Sequence, residues 1–236
     1  DTVVEREVVE DNHQRPSEGP TNIKLGDLIE IGEHRLLCGS STDADDVATL
    51  MDGKLADQVV TDPPYNVAYV GGQDSAMTIL NDNMSDANFY QFLLDFYTHW
   101  MTHTKPGGAW YVWHANLEGV NFMSAYKKAG LLLKQIIIWV KNQIVMGRQD
   151  YQWQHEPCIY GWKPGAAHFF IDDRKQSTVI EERINTAKMS KQQLRAMLDK
   201  LLEDKMETTV WHEDKPTRND EHPTMKPVKL IARCIR

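Results

Sequence analysis

Ala56-Asp-Gln-Val-Val-Thr-Asp-Pro-Pro-Tyr65 is a hydrophobic strand that runs directly into a rigid turn. Val59 and Val60 supply the strand, and Pro63 and Pro64 end it. Each proline fixes its own φ, lacks an N–H and holds the preceding residue extended. Open α/β sheets build ligand sites beyond the carboxyl ends of their strands, so an acidic turn delivered there is a candidate site.

The flanking sequence predicts such a sheet. IKLGDLIEIG (23–32) and EHRLLCG (33–39) read as two short strands about a turn, and DADDVATLMDG (43–53) as a short helix. Asp43 is its candidate cap, with Val47, Leu50 and Met51 facing inward. In SDANFYQFLLDFYTHWMTHTKPGG (85–108), Phe89, Phe92, Leu93, Phe96, Tyr97 and Trp100 recur at helical spacing, and Lys105-Pro-Gly-Gly108 reads as the stop. AWYVWHA (109–115) is a buried strand, NFMSAYKKAG (121–130) a helix, and LLLKQIIIWVK (131–141) a strand; EPCIYGWK (156–163) and AHFFID (167–172) add two strand candidates. Strand–helix alternation of this kind predicts an α/β sheet with helices on its faces. Residues 1–20 read as a polar linker, 21–165 as the core, and 166–220 as an insertion containing the amphipathic helix SKQQLRAMLDKLLEDK (190–205), with Ser190 and Gln193 fitting a capping box. Residues 221–236 open a further segment in which the chain stops.

Asp62-Pro63-Pro64-Tyr65 has a chemical reading. An exocyclic amino group on a nucleobase is a poor nucleophile, because its lone pair is delocalised into the ring, and it carries two N–H donors. Two correctly placed acceptors would hold both hydrogens and favour a pyramidal nitrogen. The Asp62 carboxylate supplies one, and the Pro63 carbonyl, in a turn with little freedom to lose, supplies the other. Tyr65 offers an aromatic face for a flipped-out base. The bland alternative is a strand ending in an acidic turn with an edge tyrosine.

DPPYNV (62–67) resembles the catalytic motif of the DNA N6-adenine and N4-cytosine amino-methyltransferases. Other stretches agree in order: EHRLLCGS (33–40), LNDNM (80–84), KPGGAWYVW (105–113), IIWVKNQIVMGRQDYQWQHEPCIYGWK (137–163) and HPTMKP (222–227). The resemblance covers roughly residues 21–236, and DPPY with HPTMKP in one chain is a specific combination. It implies a Rossmann-like α/β methyltransferase core of the permuted class, with S-adenosylmethionine as cofactor, double-stranded DNA as partner and N6 of a flipped adenine as acceptor. In that order the glycine-rich cofactor strand follows HPTMKP, so it is expected beyond Arg236 and the chain is expected to stop short of it. The implied cofactor contacts are Gly39, Ser40, Asp62, Pro223, Thr224, Lys226 and Pro227. Ser40 departs from the Asp that the family often carries after this Gly. Homodimers and a cognate restriction endonuclease are further implications.

Several residues have competing readings. Asn81 and Asp82 are either a polar pair near the active site or a helix-capping turn before Phe89. Trp139 reads as a core residue, Lys141 stays open between site and surface, and Lys226 between a cofactor-adjacent lysine and a plain loop. His155-Glu156 lacks the H-E-x-x-H spacing of a zinc site and reads as a hydrogen-bonded fold pair. His99, His103 and His114 read as surface or packing residues. Arg148, Arg174, Lys175, Arg183, Lys188 and Lys191 are candidates for phosphate contact, with solvated charge as the alternative.

Composition sets outer limits. The chain has 236 residues, enough for one substantial core, and 41% hydrophobic with 25% charged residues is ordinary for a soluble protein. A net charge of −8 is a mild argument against nucleic acid, unless a basic face is segregated over the site. Cys38, Cys158 and Cys234 have no metal-ligand rhythm and suit a reducing cytoplasm. No apolar run approaches the roughly 20 residues of a membrane helix, and no signal or transit peptide opens the chain. Three rival readings remain: N4-cytosine methylation, methylation of RNA or protein glutamine, and a non-catalytic DNA-binding or assembly module.

Overall fold

The computed structural model describes residues 22–69, 79–145 and 148–170, together with 178, 190–192, 195, 210–212 and 231. The chain opens with an antiparallel hairpin of β1 (Leu28–Ile31) and β2 (His34–Leu37), as the sequence predicts. Helix α1 (Ala44–Met51) follows, and the Asp43 carboxylate caps it by accepting from the N–H groups of Asp45 (2.9 Å) and Asp46 (3.0 Å). Val47 is buried, while Leu50 and Met51 are half-buried.

The main sheet has five strands: β3 (Ala56–Thr61), β4 (Thr104–Trp113), β5 (Leu132–Val145), β6 (Trp153–Trp162) and β7 (Val210–His212). Their spatial order is β3-β4-β6-β5-β7. β3 runs parallel to β4 and β5 to β7, whereas β6 is antiparallel to both of its neighbours. Crossover helix α2 (Asp86–Thr102) joins β3 to β4, and α3 (Gly119–Lys128) joins β4 to β5. The chain is therefore a mixed α/β fold. β7 lies within the stretch 166–220 and contributes to this sheet.

Alternation along the strands divides the sheet into two faces. Val59, Trp110, Val112 and Ile159 point to the face carrying α2 and α3, where they pack with Phe89, Leu93, Phe96, Tyr97, Phe122, Ala125 and Tyr126. Tyr97, Trp110 and Tyr126 meet edge-to-face, with centroids 5.4–6.2 Å apart. Each such fully buried side chain contributes roughly 1.5–3 kcal/mol. Trp113, Ile137, Trp139 and Cys158 form a second cluster on the opposite face, with Tyr65 packed against both clusters.

Two boundaries differ from the sequence reading. Helix α2 ends at Thr102, and Lys105–Gly108 is not a free stop segment but the bulged start of β4, where the register jumps from Ala56↔Thr104 to Gln58↔Ala109. Gly107 sits at φ +80°, and a Cβ there would lie 2.3 Å from the Ala167 carbonyl oxygen, so chain crossing as well as helix termination needs this glycine. Residues 167–170 form no strand. His168 stacks instead on Trp162 at 3.7 Å, which holds this segment against the end of β6.

Candidate active site

β3 delivers Asp62–Tyr65 to the carboxyl end of the sheet, where they line a cleft of about 210 Å³ together with Val67, Tyr69, Ile79 and Asp82. Asp62 is exposed and Pro63 is buried, so the turn presents its carboxylate while anchored by the adjacent ring. The Tyr65 hydroxyl donates to Asp62 Oδ1 at 2.6 Å and to Glu156 Oε2 at 3.3 Å. Its ring meets Phe122 edge-on at 6.4 Å. Burial, and then the charges of Asp62 and Glu156, hold the Tyr65 phenol well above its usual pKa, so it stays protonated as a donor.

Asp82 is the organiser of the loop that follows. Its side chain is buried, Oδ1 accepts from the N–H groups of Tyr65 (3.0 Å) and Val67 (3.3 Å), and Oδ2 accepts from Tyr69 N–H at 2.7 Å. Its own carbonyl accepts from Ala68 N–H at 2.7 Å, and Asn66 Oδ1 accepts from Met84 N–H at 2.6 Å. These bonds bind 65–69 to 82–84 and sustain positive φ at Asn66 (58°) and Ala68 (50°). A left-handed alanine costs roughly 1–2 kcal/mol, so the loop is held in a shape it would not adopt alone. The capping alternative belongs to Ser85, whose hydroxyl accepts from Asn88 N–H at 3.4 Å; Asp82 faces the catalytic turn.

Two charged residues from the distant strands complete the surroundings. Lys141 on β5 forms an ion pair with Glu156 on β6, both side chains being largely buried (13% and 16% exposed). Lys141 Nζ also lies over the Trp139 ring, 5.5 Å from its centroid. Trp139 is a core residue, opposite Glu156 in the antiparallel register. Sequence reasoning placed Glu156 among fold residues and left Lys141 open. The spacing of 91 residues between Tyr65 and Glu156 leaves no local signal of their contact.

The remaining expected residues divide in two. Gly39 and Ser40 lie between β2 and α1, outside the residues lining the cleft. Ser40 N–H donates to Asp46 Oδ2 at 2.7 Å, and a Cβ on Gly39 would lie 2.5 Å from that oxygen. Arg148 is exposed beyond β5, and Lys191 is exposed. Pro223, Thr224, Lys226, Pro227, Arg174, Lys175, Arg183 and Lys188 lie outside the described residues, as does most of 190–205. His114 is buried against Phe122, with ring centroids 5.3 Å apart. Among the described residues, no three His, Cys, Asp or Glu side chains converge as a metal site, and no helix is long and apolar enough to cross a membrane.

Residues 56–236 match the family model of the N6/N4 methyltransferases, described as DNA methylase. No curated protein is a significant match. Similar solved structures include M1.HpyAVI, at 18% identity and TM-score 0.41, covering 57% of this chain and 60% of that one. The M1.HpyAVI–SAM complex aligns at 20% identity and TM-score 0.36, covering 52% of each chain. A DNA modification methylase of Thermus thermophilus, TTHA0409, aligns at 18% identity and TM-score 0.39, covering 56% of each. The chain thus spans between 52% and 60% of the length of these solved chains. With the family model extending from the first residue of β3 to the end of the chain and taking in the whole Asp62–Tyr65 site, this protein belongs to the DNA methylase family.

Proposed function

We propose that this protein transfers a methyl group from S-adenosylmethionine to an exocyclic amino group of a base in double-stranded DNA, N6 of adenine being the acceptor. The observation that carries the reading is the exposed Asp62 carboxylate at the cleft mouth, fixed by the Tyr65 hydroxyl at 2.6 Å beside a buried proline. A base inside a duplex cannot reach such a cleft, so it must be flipped out, which costs a few kcal/mol.

Asp62 and the Pro63 carbonyl would each accept one N–H of the amino group, orienting its nitrogen and weakening conjugation with the ring. Tyr65, held by its hydroxyl, lines the cleft with an aromatic ring suited to the face of a base. S-adenosylmethionine, when bound, supplies an electrophilic methyl group on a sulfonium. The donor set fits that group: an exposed carboxylate and tyrosine rings at the cleft complement a cationic sulfur. The residues proposed to hold its adenosine and carboxylate ends are Pro223, Thr224, Lys226 and Pro227, with Gly39 and Ser40 at the other approach. Once the N–C bond has formed, the amino nitrogen releases one proton, and Asp62 is the nearest charged acceptor. The turn works by preorganisation, and no strong general base is required. Arg148, with Arg174, Lys175 and Arg183, is proposed for phosphate contact.

Nucleoside mass spectrometry on unmethylated DNA incubated with the protein and S-adenosylmethionine tests the proposal. N6-methyladenine is the expected product. N4-methylcytosine would preserve the chemistry and overturn the choice of base, and no methylated nucleoside would overturn the reading.

A further inference from the structure

A polar chain crosses the strand-only face of the sheet to reach the proposed catalytic turn. It runs from Lys141 to Glu156 through an ion pair, from Glu156 to the Tyr65 hydroxyl at 3.3 Å, and from that hydroxyl to Asp62 at 2.6 Å. β5 and β6 set its geometry, because their register puts Trp139 opposite Glu156 and leaves Lys141 two residues further along the same face. Trp139 is 1% exposed and backs the lysine through the ring contact described above.

A largely buried carboxylate is costly unless paired, and an ion pair in such a place contributes little net stability. The pair has a more specific consequence at the site. A tyrosine hydroxyl has one proton, and Glu156 and Asp62 both compete to accept it. The carboxylate of Glu156 anchors the phenol from the side away from the cleft, which fixes the ring and the hydroxyl from which Asp62 takes its orientation. Lys141 holds Glu156 charged and aimed.

We propose that Glu156 is a positioning residue for the methyl-transfer reaction, acting through the Tyr65 hydroxyl on the orientation of Asp62, with Lys141 keeping Glu156 in place. This rests on the function proposed above. The raised phenol pKa agrees with it, since both carboxylates favour the protonated tyrosine.

The test uses Glu156→Gln, Tyr65→Phe and the double variant, each checked for fold by circular dichroism. E156Q is expected to lower kcat by roughly ten- to a hundred-fold, the scale of misplacing a reacting group. Affinities for DNA and S-adenosylmethionine, measured separately, stay within about twofold of wild type if positioning alone is lost. Y65F removes the path, so adding E156Q to it should cause almost no further loss. A readout independent of turnover is the Tyr65 Cζ carbon resonance in tyrosine-labelled protein, assigned by its disappearance in Y65F, which should shift in E156Q. Lys141→Gln, which keeps Glu156 but removes its partner, is a second variant should E156Q fail to fold, and its loss should fall between wild type and Y65F. An unchanged kcat in a folded E156Q or K141Q overturns the inference, as do losses that multiply in the double variant or an unmoved Tyr65 resonance. If wild type itself methylates no DNA, the functional reading fails and the inference falls with it; wild-type transfer with an indifferent E156Q overturns the inference alone.

Discussion

The two faces of the main sheet carry different kinds of order. Beneath α2 and α3, aromatic rings interlock and their polar atoms are poorly served: Tyr97 and Tyr126 hydroxyls and Trp110 Nε1 are buried with no hydrogen-bond partner among the described residues. Toward the catalytic turn, polar groups are matched across strands, from Lys141 through Glu156 to Tyr65 and Asp62. The first face supplies burial and the second supplies direction. Tyr65, packed against both clusters, passes the rigidity of one to the chemistry of the other.

This contrast can be broken by substitution, and the largest effect belongs to the helix-covered face. Phe89, 0% exposed beside Phe92 and Phe122, should cost about 3–5 kcal/mol when replaced by alanine, read by urea denaturation. A cost below about 1 kcal/mol would show that this face is not the stabilising core. Next is Asp82→Ala, which strips three backbone N–H groups of their acceptor and should destabilise the protein by about 2–3 kcal/mol. Its more telling signature is local: amide exchange at 65–69 should accelerate more than exchange within α2. Uniform acceleration would mean that Asp82 serves the whole fold rather than the loop.

His114 adds a dependence on pH. Burial lowers its pKa, opposed in part by the bond of Nδ1 to the Ala115 carbonyl at 2.9 Å. Nδ1 donates in that bond, so protonation would place a hydrogen on Nε2, which is buried and unpartnered. The folded pKa lies below the unfolded value near 6.5. Stability is therefore fully present above about pH 6.5 and is lost as the pH falls below it, because the unfolded chain binds the proton more readily. Melting temperatures across that range should fall toward acid in wild type and fall less in His114→Phe; identical slopes would remove His114 as the cause. The smallest effect is expected from Tyr97→Phe, which deletes a buried unpartnered hydroxyl and should raise stability by up to about 1 kcal/mol. A clear loss would mean that this hydroxyl has a partner and that the contrast between the faces is overstated.

Local features were legible because local chemistry makes them. The Asp43 cap, the periodicity of α2 and the strand that ends at Asp62-Pro-Pro-Tyr all follow from residues within a few positions of one another. What was illegible depends on register and return of the chain. Nothing near Lys105–Gly108 foretells that Ala167 crosses over Gly107, so a bulged strand reads as a helix stop. Asp82 resembles a cap because acidic residues before helices usually are caps, yet its partners are the N–H groups of 65, 67 and 69. Glu156 meets Tyr65 only because β6 inserts antiparallel between β4 and β5. The motif itself was readable, and the residues that hold it were not.

The central claim is that the Asp62 carboxylate, and not merely the shape of the cleft, enables transfer. Tritium transfer from labelled S-adenosylmethionine to unmethylated DNA, compared between wild type and Asp62→Ala, tests it most directly. Asp62 is exposed and ends a strand, so the alanine variant should melt within about 0.5 kcal/mol of wild type, the range of surface substitutions, while transfer is abolished. An equally stable variant that keeps most of its transfer activity would contradict the account.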